Sequence, residues 1–301
     1  MKILITGATG FIGKTLIPHI LEKGGHWVSL IVRDRAKAQS MFGNLDVAYI
    51  MVDDAMRQNI IDFNPDAVIH LAAYFTTSDV ESQIKELIDS NILFTTRLLE
   101  SLKHTQCRYF INTGTFTESL HGSGDPVPAN LYSATKAACR PIIRYFQQVS
   151  GWKWINVVVY SPYGRRPIKK KVIDYLTDAL NAKTAVAFTE GTQRLDFIHV
   201  DDIVDFYDVL LQKLDTIKED CVEFHLGTGK AASIREVAQI MEKVSGGIVN
   251  ADWGKLPGNP MNPIHAVASV SYTVATLGWQ PKIDLETGIR ILLQELNRIG
   301  E

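Results

Sequence analysis

The first thirteen residues constrain the fold more than any other stretch of this chain. Met1-Lys2-Ile3-Leu4-Ile5-Thr6 is a short apolar run that meets Gly7-Ala8-Thr9-Gly10-Phe11-Ile12-Gly13 at once, and helical periodicity follows. A strand that turns through glycines straight into a helix brings bare backbone N–H groups and a positive helix terminus to one point. That arrangement is a cradle for a diphosphate. A glycine trio alone also marks any tight turn. Its place between a strand and a helix, at the head of a βα pattern, gives it the anion-binding meaning.

The pattern then repeats. Apolar runs rich in β-branched residues at Lys2 to Thr6, Val28 to Val32, Ala48 to Val52, Ala67 to His70, Arg108 to Thr113 and Ile155 to Tyr160 predict strands. Helices are expected near Phe11 to Glu22, Ser82 to Lys103 and Tyr132 to Val149. Such alternation builds a parallel sheet with right-handed crossovers, and ligands then lie at the strand carboxyl ends. The expected fold is α/β, a doubly wound parallel sheet over residues 1–164, with a smaller interleaved substrate domain over 165–301. In that second part a helix is expected near Val172 to Ala182 and a strand at Phe197 to His199. Ser233-Ile234-Arg235-Glu236 has capping-box spacing for a helix to about Ser245, and a last helix is expected from Leu285 to Arg298. Pro18 and Pro141 fall inside predicted helices, where a missing N–H should kink or end them.

Composition limits the partners. With 31 basic and 33 acidic side chains there is no sequence-wide field to draw the chain onto nucleic acid or an anionic membrane, so an anion must be held locally. No apolar run reaches the roughly 18 to 20 residues of a membrane span, and the amino-terminal run is too short for a signal peptide. Cys107, Cys139 and Cys221 are odd in number and without CxxC spacing, which fits a reducing, cytoplasmic setting better than disulfides or a metal site.

Tyr132 and Lys136, in Asn130-Leu131-Tyr132-Ser133-Ala134-Thr135-Lys136, stand four apart on one helix face. A phenol works as an acid or base once its pKa falls from about 10 towards the working pH, and a nearby ammonium favours the phenolate. Such a pair suits proton exchange with a substrate oxygen while hydride moves at the carbon. After the second strand, Arg33-Asp34-Arg35 offers both signs of charge. An acid there can hold the ribose hydroxyl of NAD, and arginine the 2′-phosphate of NADP. Arg165-Arg166-Pro167-Ile168-Lys169-Lys170-Lys171 could grip a diphosphate or be a solvated loop.

The GxxGxxG turn together with the Tyr-Lys pair resembles the extended short-chain dehydrogenase/reductases acting on nucleotide sugars. The resemblance continues along nearly the whole chain, through His70-Leu71-Ala72-Ala73, Tyr160-Ser161-Pro162-Tyr163-Gly164, Arg194-Leu195-Asp196-Phe197-Ile198-His199-Val200-Asp201-Asp202 and Leu277-Gly278-Trp279-Gln280-Pro281. It implies cofactor contacts at Gly7, Thr9, Gly10, Phe11, Ile12, Gly13, Arg33, Asp34, Arg35, Asp53, Asp54, Leu71, Ala72, Ala73 and Asn91, besides Tyr132 and Lys136. Catalysis would use Tyr132, Lys136 and a hydroxyl at the end of the fifth strand, Thr113 or failing it Thr115. Substrate would meet Thr115, Tyr163, Arg165, Arg166, Lys171 and Arg194, although Arg194 lies one place earlier than the family's diphosphate-binding arginine. His199 and Asp201 have no metal partners in sequence and read as structural.

Gly114-Thr115 stands where 4,6-dehydratases have Asp-Glu, which argues against a dehydratase. The Ile-Asn-Thr-Gly-Thr run and Glu190-Gly191-Thr192-Gln193 are similar to the CDP-abequose and CDP-paratose synthases. The implied activity is 4-keto reduction of a nucleotide-linked deoxy sugar with NADP as cofactor. A C4 epimerase retaining NAD would use the same residues. A non-catalytic dinucleotide sensor would have no use for Tyr132 and Lys136. The resemblance further implies a homodimer through a four-helix bundle made by the helices Ser82 to Lys103 and Tyr132 to Val149.

Overall fold

The computed structural model describes residues 1–77, 80–119, 127–164 and 170–298. In chain order the first half runs β1 (Lys2–Thr6), α1 (Gly13–Lys23), β2 (Trp27–Val32), α2 (Arg35–Phe42), β3 (Val47–Met51), α3 (Met56–Phe63), β4 (Ala67–His70) and α4 (Glu81–Leu87). A π-helical segment, Ile88–Leu93, joins α4 to α5 (Phe94–Leu102), followed by β5 (Tyr109–Thr115), α6 (Leu131–Ser150), β6 (Lys153–Val159) and β7 (Ser161–Tyr163). The second half contributes α7 (Val172–Ala179), β8 (Val186–Ala187), β9 (Arg194–His199), α8 (Val200–Lys213), β10 (Cys221–Leu226), β11 (Ala231–Ser233) and α9 (Ile234–Ser245). It ends with β12 (Ala251–Asp252), β13 (His265–Ala266), α10 (Ser271–Leu277) and α11 (Leu285–Glu295).

Seven parallel strands form the main sheet in the order β10-β6-β5-β4-β1-β2-β3, the doubly wound arrangement expected. Because helices cover both faces, the central strands are apolar throughout rather than alternating, as Ile3-Leu4-Ile5 in β1 and Val68-Ile69 in β4 show. On one face Leu16 and Ile17 of α1 and Phe206 and Leu210 of α8 pack against Ile3, Ile5, Ile111 and Val157. On the other, Leu98 and Leu99 of α5 and Ile143 and Phe146 of α6 cover Leu4, Val68 and Phe110. The strand order reverses beside β1 and β4, so their carboxyl ends open a crevice.

The seventh strand was not among the predicted ones. In β10, Val222, Phe224 and Leu226 face the core and Glu223 and His225 the other way, a period-two signal bounded by Asp220 and Gly227. The short helices α2 and α3 and the longer α8 were also unpredicted. Where helices were expected near Phe11, Ser82 and Tyr132 they form, and both prolines lie within continuous helices rather than ending them. Pro18 and Pro141 are exposed, so the turn that each one interrupts lies on the face turned to water.

A second, four-stranded sheet has β9 at its centre, paired with β11, β13 and β7. It packs with α7, α9 and α11 around Ile173, Leu176, Phe197, Val237, Met241 and Leu292. Its β9 signature is structural chemistry. The buried Asp196 carboxylate accepts from the N–H groups of Thr228, Gly229 and Ala268 and from the Thr228 hydroxyl, tying three chain segments together. His199 accepts from Asp201 N–H and caps α8, and Asp202 accepts from the N–H groups of Lys282 and Ile283.

Candidate active site

The glycine-rich turn lies at the carboxyl end of β1. Gly7 has φ +72°, and a Cβ there would stand 2.6 Å from Ala72 N, so the turn can press against the chain leaving β4 only as glycine. A Cβ on Gly13 would meet the carbonyl oxygens of Ala8 and Gly7 at 2.4 and 2.5 Å, which is how α1 starts directly under the turn. No side chain caps α1; its Lys14 and Thr15 N–H groups donate to the Gly10 and Ile12 carbonyls, and the helix's positive end still faces the turn where an anion would sit. The structure thus brings Gly7, Thr9, Gly10, Phe11, Ile12 and Gly13 to one rim with Leu71, Ala72 and Ala73, which follow β4.

Behind that rim lies a closed polar network. Thr6 Oγ1 accepts from Ala72 N–H (3.1 Å) and donates to His70 Nδ1 (2.8 Å). Thr95 Oγ1 donates to the Asn91 carbonyl (2.7 Å), so it must accept from His70 Nε2–H at 3.0 Å, and the ring is the neutral Nε2–H tautomer. Burial, and then the nearby Lys136 charge, lower its pKa to about 3. Asn91 sits in the π-helical segment, where its amide is bonded to Tyr74 N–H and carbonyl and to the Thr135 hydroxyl. These bonds tie the loop after β4 to α6.

Past β2, Arg33, Asp34 and Arg35 are all exposed. The Asp34 carboxylate caps α2 by accepting from Lys37 N–H (2.9 Å), and the Arg35 guanidinium lies over Tyr49, 6.0 Å from the ring centre. Asp53 accepts from Ala55 N–H in a local turn, and Asp54 beside it is exposed.

Asn130 opens α6 by accepting from Ser133 N–H, which sets the phase that places Tyr132 and Lys136 one turn apart. The Tyr132 ring is half-buried, edge-on to Phe75 at 5.0 Å. Lys136 is buried, and that burial pulls its pKa down while Cys139 and Glu118 oppose the shift. The phenol differs from expectation. Burial first, and then the Glu118 carboxylate, push Tyr132 above its ordinary value before any cofactor binds.

Strand alternation sends Thr113 to the α8 face, where its hydroxyl meets that of Tyr207 at 2.5 Å. Thr115 Oγ1 meets Thr117 Oγ1 at 2.9 Å, and Ser133 of α6 donates to the latter at 2.7 Å. Of the two hydroxyls, that of Thr115 is the one linked to the tyrosine's helix.

Of the expected substrate residues, Arg165 and Arg166 lie outside the described residues. Lys171 Nζ sits over the Phe11 ring at 5.2 Å, with the Pro162 carbonyl at 3.4 Å, and burial lowers its pKa to about 8. It joins the start of α7 to the glycine-rich turn. Tyr163, by contrast, is buried in the second sheet's core, edge-on to Phe197 and His199, and its hydroxyl is so close to Gly288 that a Cβ there would overlap it. Its side chain therefore packs in the interior and does not line the crevice. Arg194 is on the outer surface, paired with Glu236 at 3.0 Å and donating to the Ala231 carbonyl.

Glu118, Arg140 and Tyr207 were not singled out from sequence. Glu118 had a faint signal, an acid three places after a threonine in capping-box register. Among the described residues no cluster of His, Cys, Asp or Glu could hold a metal, and no helix is long and apolar enough to cross a membrane.

Comparison with known proteins agrees with this geometry. The chain is 25% identical over 296 residues to CDP-abequose synthase of Salmonella muenchen, covering 97% of both chains. It is 26% identical to UDP-glucose 4-epimerase of Halalkalibacterium halodurans, covering 95% of this chain and 93% of that one. Among solved structures, UDP-glucuronic acid 4-epimerase of Bacillus cereus, in complex with UDP-4-deoxy-4-fluoro-glucuronic acid and NAD, has the same fold. The TM-score is 0.86 with 99% of each chain covered at 23% identity. UDP-glucose 4-epimerase of Thermotoga maritima, with UDP-glucose, also reaches a TM-score of 0.86 at 20% identity, again with 99% of each chain covered. The profile of the NAD dependent epimerase/dehydratase family matches residues 3–223, and with the strand order, glycine turn and Tyr-Lys helix already in place, the chain belongs to that family.

Proposed function

We propose that this protein reduces a 4-keto group on a nucleotide-linked deoxy sugar with NADPH. The observation that carries the reading is Tyr132, on the same helix face as the buried Lys136 and edge-on to Phe75 of the loop that follows β4. A reductase must deliver a proton to the developing alkoxide, and a protonated phenol is the donor state. The glycine turn and uncapped α1 fit a dinucleotide diphosphate, and the cofactor when bound supplies hydride to the sugar carbon.

Tyr132 gives its proton to the sugar oxygen, Lys136 stabilises the phenolate that results, and Thr113 donates to the oxygen as charge builds, with Thr115 as the alternative donor. With the Asp34 carboxylate engaged in capping α2, Arg33 and Arg35 are left to meet a 2′-phosphate, which favours NADP over NAD. Residues 1–164 form the cofactor half. Residues 165–301 form the substrate half, with α8 and β10 returning to the first sheet, and Lys171 reaches the substrate diphosphate at the seam. Exposed Ile84, Ile88 and Leu93, with Tyr145 and Val149 of α6, form the face through which two copies pair.

The likeness to CDP-abequose synthase over nearly the whole chain supports reduction. The NAD-bound epimerase neighbours support the second reading, C4 epimerisation with retained NAD. The test is to mix the purified protein with NADPH and a panel of nucleotide-linked 4-keto sugars and follow nicotinamide absorbance. Stoichiometric oxidation of NADPH supports the reductase. No oxidation, with NAD released on denaturation, sinks it in favour of the epimerase.

A further inference from the structure

A chain of buried polar groups outside the Tyr-Lys pair joins the end of β5 to α6. Glu118, only 3% exposed, turns back so that Oε1 accepts from Thr115 N–H at 2.8 Å while Oε2 accepts from Arg140 Nε at 2.5 Å. The space it enters is free because residue 114 is glycine. A Cβ there would stand 2.9 Å from Glu118 Oε1. Arg140 extends a second arm, NH1, to Glu223 of β10 at 2.7 Å, and Glu223 also accepts from Asn156 of β6, which in turn accepts from Asn112 of β5. A single guanidinium on α6 thus clamps two strands.

We propose that Glu118 and Arg140 are positioning residues, a clamp anchored on the buried Glu118 that holds the hydroxyl-bearing end of β5 in register with the helix carrying Tyr132 and Lys136. Arg140 is one helical turn beyond Lys136, and Glu118 bonds the backbone of Thr115, so the clamp spans the two elements whose relative placement sets the catalytic distances. The charged groups facing Glu118 come from α6 and β10. From α6 they are Arg140, Lys136, the Cys139 thiol and the Tyr132 phenol, and beyond Arg140 lie Glu223 of β10 and His225, 3.2 Å from Glu223. The glycine in place of the dehydratase acid becomes intelligible, since a carboxylate from four residues on takes the room.

The inference rests on the reductase reading, so wild-type turnover with NADPH is measured first. Its absence across the sugar panel removes that reading and the clamp's role with it. With turnover established, E118Q keeps the shape but sets an amide against the guanidinium. It should lower kcat roughly tenfold to a hundredfold with KM within about threefold. Removing the carboxylate charge should also move the pH–rate profile to lower pH, because Glu118 raises Tyr132 and Lys136 alike. R140K, altered at a partly exposed side chain, keeps the charge but loses the fork and should lower kcat in the same direction, less steeply. It also serves should E118Q fail to fold. Unchanged kcat and an unmoved pH profile in the folded variants, with only a lower Tm, would overturn the proposal and leave the pair as a structural strut.

Discussion

At the scale of single residues, chemistry here is decided by what each polar atom already holds. The segment His70-Leu71-Ala72-Ala73 resembles one that lies beside the cofactor, and within it both nitrogens of His70 are committed to Thr6 and Thr95. Among the described residues the Tyr132 hydroxyl has no such hydrogen-bond partner. Tyr132→Phe should therefore lower kcat by about 10²- to 10⁴-fold while NADPH affinity, measured by fluorescence titration, stays within about twofold. The two threonines make a sharper comparison. If Thr113 donates to the sugar oxygen, Thr113→Val should cost about 10- to 100-fold in kcat, and Thr115→Val about threefold or less. The reverse order in steady-state assays would transfer the role to Thr115, the hydroxyl linked through Thr117 to α6.

The legible part at this scale was the pair defined by local spacing. Tyr132 and Lys136 are four apart, and helical geometry alone brings them together. The Tyr163 hydroxyl and the Arg194 guanidinium could not be placed that way. Whether they face the crevice depends on Gly288 and Glu236, which are 125 and 42 residues away in sequence. For the same reason the contribution of Glu118 to the phenol's environment was not legible, because it comes from a segment outside the tyrosine's own helix.

Elements form where local pattern and tertiary need agree. The turn from β1 to α1 depends on Gly7, whose left-handed φ and 2.6 Å approach to Ala72 N leave no room for a side chain. Gly7→Ala should destabilise the fold by about 1–2 kcal/mol from backbone strain alone, more if the loop after β4 cannot move, and weaken NADPH binding by tenfold or more. Urea unfolding and cofactor titration would check the two effects. The capping box at Ser233 and Glu236 formed as its spacing predicted, with Ser233 accepting from Glu236 N–H at 3.1 Å and Glu236 accepting from Ser233 N–H at 2.6 Å. Strand β10 obeys an equally local alternation. Its membership in the first sheet, beside β6, is a matter of topology that no local pattern carries.

For the whole molecule, α4, the π-helical segment and α6 present an apolar face that is exposed among the described residues. Tyr145 and Val149 are 58% and 50% exposed, and Leu93 is 50% exposed. If two copies pair there, sedimentation of the wild type should give twice the chain mass, and Leu93→Glu combined with Val149→Glu should give the monomer mass. A wild type that sediments as a monomer at micromolar concentration would remove the pairing.

The sequence by itself determined the alternation of strand and helix, the glycine turn and the spacing of the Tyr-Lys pair. Each of these depends on burial periodicity or backbone freedom over a few residues. Only the tertiary structure decided which polar groups meet, that Asp196 ties three segments, and that Glu118 fills the space beside Gly114 and so lies near the tyrosine's helix. Those outcomes depend on desolvation and on hydrogen bonds between residues far apart in the chain, and neither quantity exists until the layers have packed.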